Sequence, residues 1–134
     1  MLISSPEAMI ALGTQLAQAG VTHVLLYGDL GAGKTHFVKG YVAGCGLDPY
    51  LVQSPTYTYF HNYAGQILHM DMYRLEDKDY MIQKGMLQQM EEFDRVLIEW
   101  PKFIEMYGEG YTTVRIEKVS DTEREVLITS PAHA

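Results

Sequence analysis

Residues 28 to 35 read Gly-Asp-Leu-Gly-Ala-Gly-Lys-Thr, a glycine followed by four residues and then Gly33-Lys34-Thr35. The glycines, the lysine and the threonine of that stretch suit the holding of an anion and its metal. Gly28, Gly31 and Gly33 let backbone N–H groups turn inward, and a helix starting behind the loop adds the positive end of its dipole. Asp29, Leu30 and Ala32 complete the cradle. Lys34 carries a cation able to reach the β and γ phosphates of a nucleotide, while the Thr35 hydroxyl suits Mg²⁺. Such an ion wants further oxygen ligands, and hydrolysis wants a positioned water. Two carboxylates stand where these tasks arise. Asp71 follows the apolar run that starts at Ile67, and Glu99 follows Val96-Leu97-Ile98, so both are expected at carboxyl ends of strands, where ligands bind in open α/β sheets. Asp71 is the expected metal-side acid. Glu99 is expected either to ligate the metal through water or to orient the attacking water.

Three further residues carry weaker signals. Thr56, after Ser54-Pro55, suits a segment that closes on a γ phosphate, or else simple turn chemistry. Trp100 is the single tryptophan, a core residue by type but placed beside Glu99. His69 and Asp71 share one face of their strand at i and i+2, but no third ligand at a suitable spacing accompanies them, so zinc is not expected.

The elements that position these residues follow from period and turn chemistry. Ser4-Ser5-Pro6-Glu7 offers a capping box from Ser4 to Glu7, and Met9, Leu12, Leu16 and Ala17 recur at helical spacing until Gly20. Val21 to Tyr27 reads as a buried strand and Thr35 to about Val42 as a helix ended by Gly44 and Gly46, so the glycine loop joins strand to helix. Leu51-Val52 suggests a short strand. Ala64-Gly65 splits a hairpin of residues 57–63 and 66–72, and residues 77–93 read as one helix despite Gly85. Its methionines are expected to fill core. Val96 to Ile98 is a further buried strand, and residues 112–119 and 125–129 form a closing hairpin around Ser120-Asp121.

Composition narrows the function classes. A length of 134 residues favours one domain, residues 1–134, and the absence of a long apolar run argues against a membrane span. An N-terminus without a secretory pattern makes the cytoplasm the default. Seventeen acidic against ten basic residues give a net charge of −7, a field that repels phosphate backbones, so strong direct nucleic-acid binding is not expected. The lone Cys45 is expected to be a small apolar residue near a helix end.

Taken in order, GDLGAGKT at 28–35, SPTYTY at 54–59, HMDMYRL at 69–75 and IEWP at 98–101 resemble the bacterial TsaE (YjeE) ATPases of tRNA threonylcarbamoyladenosine biosynthesis. The resemblance implies a compact α/β P-loop NTPase-like domain that binds ATP and Mg²⁺ and works with the TsaB and TsaD proteins, the transfer chemistry belonging to TsaD. The element pattern adds a mixed, mostly parallel sheet flanked by helices, with antiparallel hairpins. Carried over by motif, Lys34 and Thr35 are the ATP and Mg²⁺ residues, Thr56 belongs to a switch-like segment, and Asp71, Glu99 and Trp100 complete the site. The segment between Arg74 and Ile98 departs from the family pattern by its methionines. Two other classes remain as alternatives. A small-molecule P-loop kinase needs a lid and acceptor pocket for which little chain is left. A GTPase-like switch needs an Asn-Lys-x-Asp motif, which the chain lacks, so adenine is the expected base; Ser5, Pro6 and Arg124 are the candidates near it.

Overall fold

In the computed structural model, residues 1–29, 31–52 and 60–131 are described; Leu30 and Thr56 lie outside them. Among the described residues seven strands form one sheet, in the order β1-β7-β6-β2-β5-β4-β3. They are β1 (Leu2–Ile3), β2 (His23–Tyr27), β3 (Phe60–Tyr63), β4 (Ile67–Asp71), β5 (Arg95–Glu99), β6 (Thr112–Lys118) and β7 (Arg124–Thr129). The block β6-β2-β5-β4 is parallel, while β3, β7 and β1 add antiparallel edges. The hairpins at Ala64-Gly65 and at 119–123 are as expected, the first with positive φ at both turn residues.

The period of 2 splits the sheet into two faces. Val24, Leu26, Ile67 and Leu97 pack with α1 (Pro6–Gln18) and α2 (Lys34–Gly44) in one cluster. Leu25, Leu68, Met70, Val96 and Ile98 face the other way, against Met81, Met86 and Met90 of α3 (Lys78–Gln83) and α4 (Met86–Glu92). The methionines of that segment are therefore core, filling an irregular space with flexible thioethers. Helices α1 and α2 approach backbone to backbone. A Cβ on Gly40 would lie 1.8 Å from the Ile10 carbonyl oxygen, and one on Gly13 2.1 Å from that of Phe37. In the space so left, the Thr14 hydroxyl donates to the Gly40 carbonyl at 2.9 Å.

Four local expectations shift. The cap of α1 is Ser5, whose Oγ accepts from Ala8 N at 3.0 Å, because Pro6 occupies the first helical position and forces an extended residue before it. Leu51 belongs to a 3₁₀ turn, Pro49–Leu51, because Asp48 caps it through Tyr50 N and Pro49 opens it. The helix expected over 77–93 divides at Gly85, whose φ of 67° ends α3 and begins α4. Gly44 closes α2 rather than stopping it, and Leu2–Ile3, too short to show a period, adds an edge strand to β7.

Candidate functional site

Strand β2 delivers the chain into the glycine loop, and the loop delivers it into α2. Gly28 packs against β6, where a Cβ would meet the Ile116 carbonyl oxygen at 2.9 Å. Gly31 and Gly33 have φ of 80° and 112°, a left-handed region that costs other residues about 1–2 kcal/mol. Gly33 is the N-cap of α2 and supplies no side-chain acceptor, so the first N–H groups of the helix are left to face a ligand. Arg124 braces the loop from behind: its Nε donates to the Ala32 carbonyl at 3.0 Å and its Nη2 to the Gly31 carbonyl at 3.1 Å. Its Nη1 donates to Ser120 and Glu123 carbonyls, tying the loop to the β6–β7 turn.

Parallel pairing does the rest. Asp71 and Glu99 are direct partners across β4 and β5, and Glu99 is also the partner of Leu26 in β2, so both carboxylates stand beside the loop on the α1–α2 face. Lys34 is 5% exposed, and its Nζ lies 3.8 Å from Glu99 Oε1 and 4.1 Å above the Trp100 ring. At 3.8 Å the ammonium makes an ion pair but no hydrogen bond; it has no hydrogen-bond partner among the described residues, and the same holds for His36 Nδ1. Glu99 Oε2 accepts from His69 Nε2 at 2.5 Å, and His69 Nδ1 lies 2.8 Å from the Tyr63 hydroxyl. Asp71 Oδ1 accepts from Tyr73 N at 2.7 Å. Trp100 turns the chain out of β5 with a φ of 52° and packs its ring 5.0 Å from that of Tyr73, a strained backbone held at the site.

Burial acts on each charge. It pushes the Lys34 ammonium below the usual lysine range, against the pull of Glu99, Asp71 and Asp29. It pushes the Asp71 carboxyl up, and the neighbouring Glu99 adds to that, although the Tyr73 amide opposes it. At Glu99 burial also pushes up, but the hydrogen bond and charge of His69, with the charge of Lys34, hold the carboxyl below the usual range.

These residues open on a cavity of about 410 Å³, of a size for a small-molecule ligand. Gly31, Ala32, Gly33, Lys34, Thr35, Asp71, Glu99 and Trp100 line it together with Ser5, Pro6, Asp121, Thr122 and Arg124. An anion fits beside Lys34, a buried cation with no hydrogen-bond acceptor among the described residues, next to the N–H groups and glycines of the loop. Among the described residues no group of three or more His, Cys, Asp or Glu side chains gathers to hold a metal. Thr35 and Asp71 both line the cavity and carry oxygen donors of the type that Mg²⁺ takes beside waters and phosphate oxygens.

A family model described as threonylcarbamoyl adenosine biosynthesis protein TsaE matches residues 3–126. The chain belongs to the TsaE family. It is similar to the tRNA threonylcarbamoyladenosine biosynthesis protein TsaE of Bacillus subtilis (strain 168), with 37% identity over 128 residues, covering 92% of this chain and 78% of that one. The protein of the same name from Aquifex aeolicus (strain VF5) is 35% identical, covering 87% and 93%. The crystal structure of Bacillus subtilis YdiB aligns with a TM-score of 0.69 at 28% identity, over 98% of this chain and 84% of that one. The architecture is accordingly that of a P-loop α/β domain. The TsaE match takes in the whole cavity, from Ile3 to Arg124.

Set against the TsaE motifs, the structure brings Gly31, Ala32, Gly33, Lys34, Thr35, Asp71, Glu99 and Trp100 around one cavity, Gly28 and Asp29 lie in the loop outside its lining, and Leu30 and Thr56 lie outside the described residues. Sequence reasoning gave three others a different role or none. Arg124 entered only as a base contact, and nothing local marks a grip on carbonyls 92 and 93 positions away. His36 and Tyr63 carried no spacing signal. His69 did, through its shared face with Asp71, and its Nε2 meets the Glu99 carboxylate.

Proposed function

We propose that this TsaE-family chain binds ATP with Mg²⁺, hydrolyses it slowly, and acts as the nucleotide-switched member of the assembly that makes threonylcarbamoyladenosine in tRNA, with TsaB and TsaD as partners. One observation carries the reading: Lys34 is buried under a glycine loop at the head of α2 with no hydrogen-bond acceptor among the described residues. When bound, Mg²⁺ neutralises charge on the phosphate oxygens and helps align them. The chain's own residues do the remainder. Lys34 meets the β and γ phosphates, its burial strengthening the attraction. The Thr35 hydroxyl and the Asp71 carboxylate hold the metal side. Glu99, kept ionised by His69 and Lys34, orients the attacking water and accepts its hydrogen bond. Ser5, Pro6 and Arg124 border the part of the cavity left for the base and sugar. The Ser54 to Tyr57 segment, taken from the family resemblance, senses the γ phosphate, and partners that bind one of its two arrangements are captured and released each cycle.

The test is phosphate release by the wild-type chain, Lys34→Ala and Glu99→Gln, alone and with TsaB and TsaD, alongside calorimetric titration with ATP. Lys34→Ala should lose nucleotide binding while still folding cooperatively, its melting temperature shifted by the loss of the buried partner of Glu99. Glu99→Gln should bind ATP and lose hydrolysis by about 100-fold, the scale of one acid–base group. Wild-type hydrolysis should rise when the partners are added. Equal ATP affinity in wild type and Lys34→Ala, or a rate indifferent to both partners, rejects the reading.

A further inference from the structure

Opposite charges buried together at a distance too long for a hydrogen bond pose a question of what keeps them apart. Lys34 and Glu99 have side chains 6% and 8% exposed, and their attraction is little screened there. The terminal torsion of glutamate is broad, so its carboxylate is free to rotate onto the ammonium unless another contact fixes it. The carboxylate only accepts hydrogen bonds, so His69 Nε2 carries the hydrogen and donates it to Oε2 at 2.5 Å. On its other side His69 Nδ1 lies 2.8 Å from the Tyr63 hydroxyl, within hydrogen-bond distance. His69 is 1% exposed and Tyr63 4%. Their strands pair side by side, Tyr63 in β3 with Ile67 in β4, and His69 in β4 with Leu97 in β5. The contact thus spans three hydrogen-bonded strands, a support that moves far less than a side chain.

We infer that His69, backed by Tyr63, is a positioning residue that holds the Glu99 carboxylate off Lys34 and so keeps the lysine ammonium available to an incoming anion. The inference rests on the nucleotide reading above and adds to it the source of the lysine's availability. With the restraint gone, Glu99 closes on Lys34, Nζ leaves the Trp100 ring, and a phosphate must displace a carboxylate before it binds.

Trp100 is the single tryptophan, so its emission reports the position of Nζ in the ligand-free chain. The experiment compares His69→Asn, whose amide is too short to reach Glu99, with His69→Gln, whose amide reaches it. Each is made with and without Glu99→Gln. Emission without ligand and ATP affinity by calorimetry are the readouts. His69→Asn should shift the emission and weaken ATP by about tenfold, within the range of coupling between touching residues. His69→Gln should do neither, and Glu99→Gln should remove both effects of His69→Asn. Both effects persisting undiminished in the Glu99→Gln background, or neither arising, overturns the inference. If His69→Asn does not fold, Tyr63→Phe replaces it, with an expected loss of about threefold. A wild-type chain that binds no ATP sinks the nucleotide reading, and the ligand-free emission comparison then decides the role of His69 alone.

Discussion

Burial moves two opposite charges at the site away from their charged forms, pushing Lys34 down and Asp71 up, while Glu99 is moved the other way by its partners. These directions have consequences for stability. The folded pKa of Asp71 lies above its unfolded value of 3.8, so the stability it confers is full below that pH and is lost as pH rises through the folded value. At pH 7, without nucleotide and metal, its ionised form therefore weakens the fold. Asp71→Asn keeps the acceptor for Tyr73 N and should melt a few degrees above wild type at pH 7, a modest gain because the half-buried carboxylate is partly screened. The gap should close as pH approaches 3.8. Glu99 has the reverse sign: its contribution is present above 4.5 and lost as pH falls through the lower folded value, so Glu99→Gln should flatten the acid limb. Thermal melts of both variants from pH 3 to 8 check this; an Asp71→Asn gap that widens in acid contradicts it.

At the scale of elements, the site depends on how closely α2 lies on α1, since α2 begins at Lys34. Two effects compete at Gly40. Alanine favours a helix over glycine by about 1 kcal/mol. Its Cβ, however, would sit 1.8 Å from the Ile10 carbonyl oxygen, a backbone atom that cannot swing aside. The second effect wins, and Gly40→Ala should destabilise the chain by about 2 kcal/mol or more, the cost of forcing packed helices apart. Urea unfolding measures it; a stabilised variant would mean that the helices separate easily. The same logic explains why Gly28, Gly31 and Gly33 are not interchangeable, one admitting β6 and two turning the loop.

For the whole molecule the governing number is the net charge of −7. RNA binding draws much of its free energy from counterion release by basic side chains, and this chain has ten against seventeen acids. The isolated protein should bind tRNA more weakly than micromolar in physiological salt, so that contact with tRNA passes through protein partners. A filter-binding or anisotropy titration decides; submicromolar affinity would remove the need for intermediaries. No helix among the described residues is long and apolar enough to cross a membrane.

Much of this was legible in the chain because it is encoded over a few residues. Glycine and lysine types between an apolar run and a helical one mark the loop, short apolar runs mark β4 and β5, and Ala64-Gly65 marks a hairpin. The strand-end positions of Asp71 and Glu99 follow from where those runs stop. Local competition was harder to read: Pro6 chose Ser5 over Ser4 as the cap, and Gly85 divided a helix that its flanks would have continued. Strand order was beyond reach of the sequence by itself. Only the parallel register of β2, β5 and β4 sets Asp71 opposite Glu99, and only the folded sheet lays Tyr63 against His69 and His69 against Glu99. The Arg124 grip on Gly31 and Ala32 is of the same kind. Periodicity states which face a side chain takes, but which neighbour it meets there is fixed by pairings between distant segments, and those exist only once the sheet has formed.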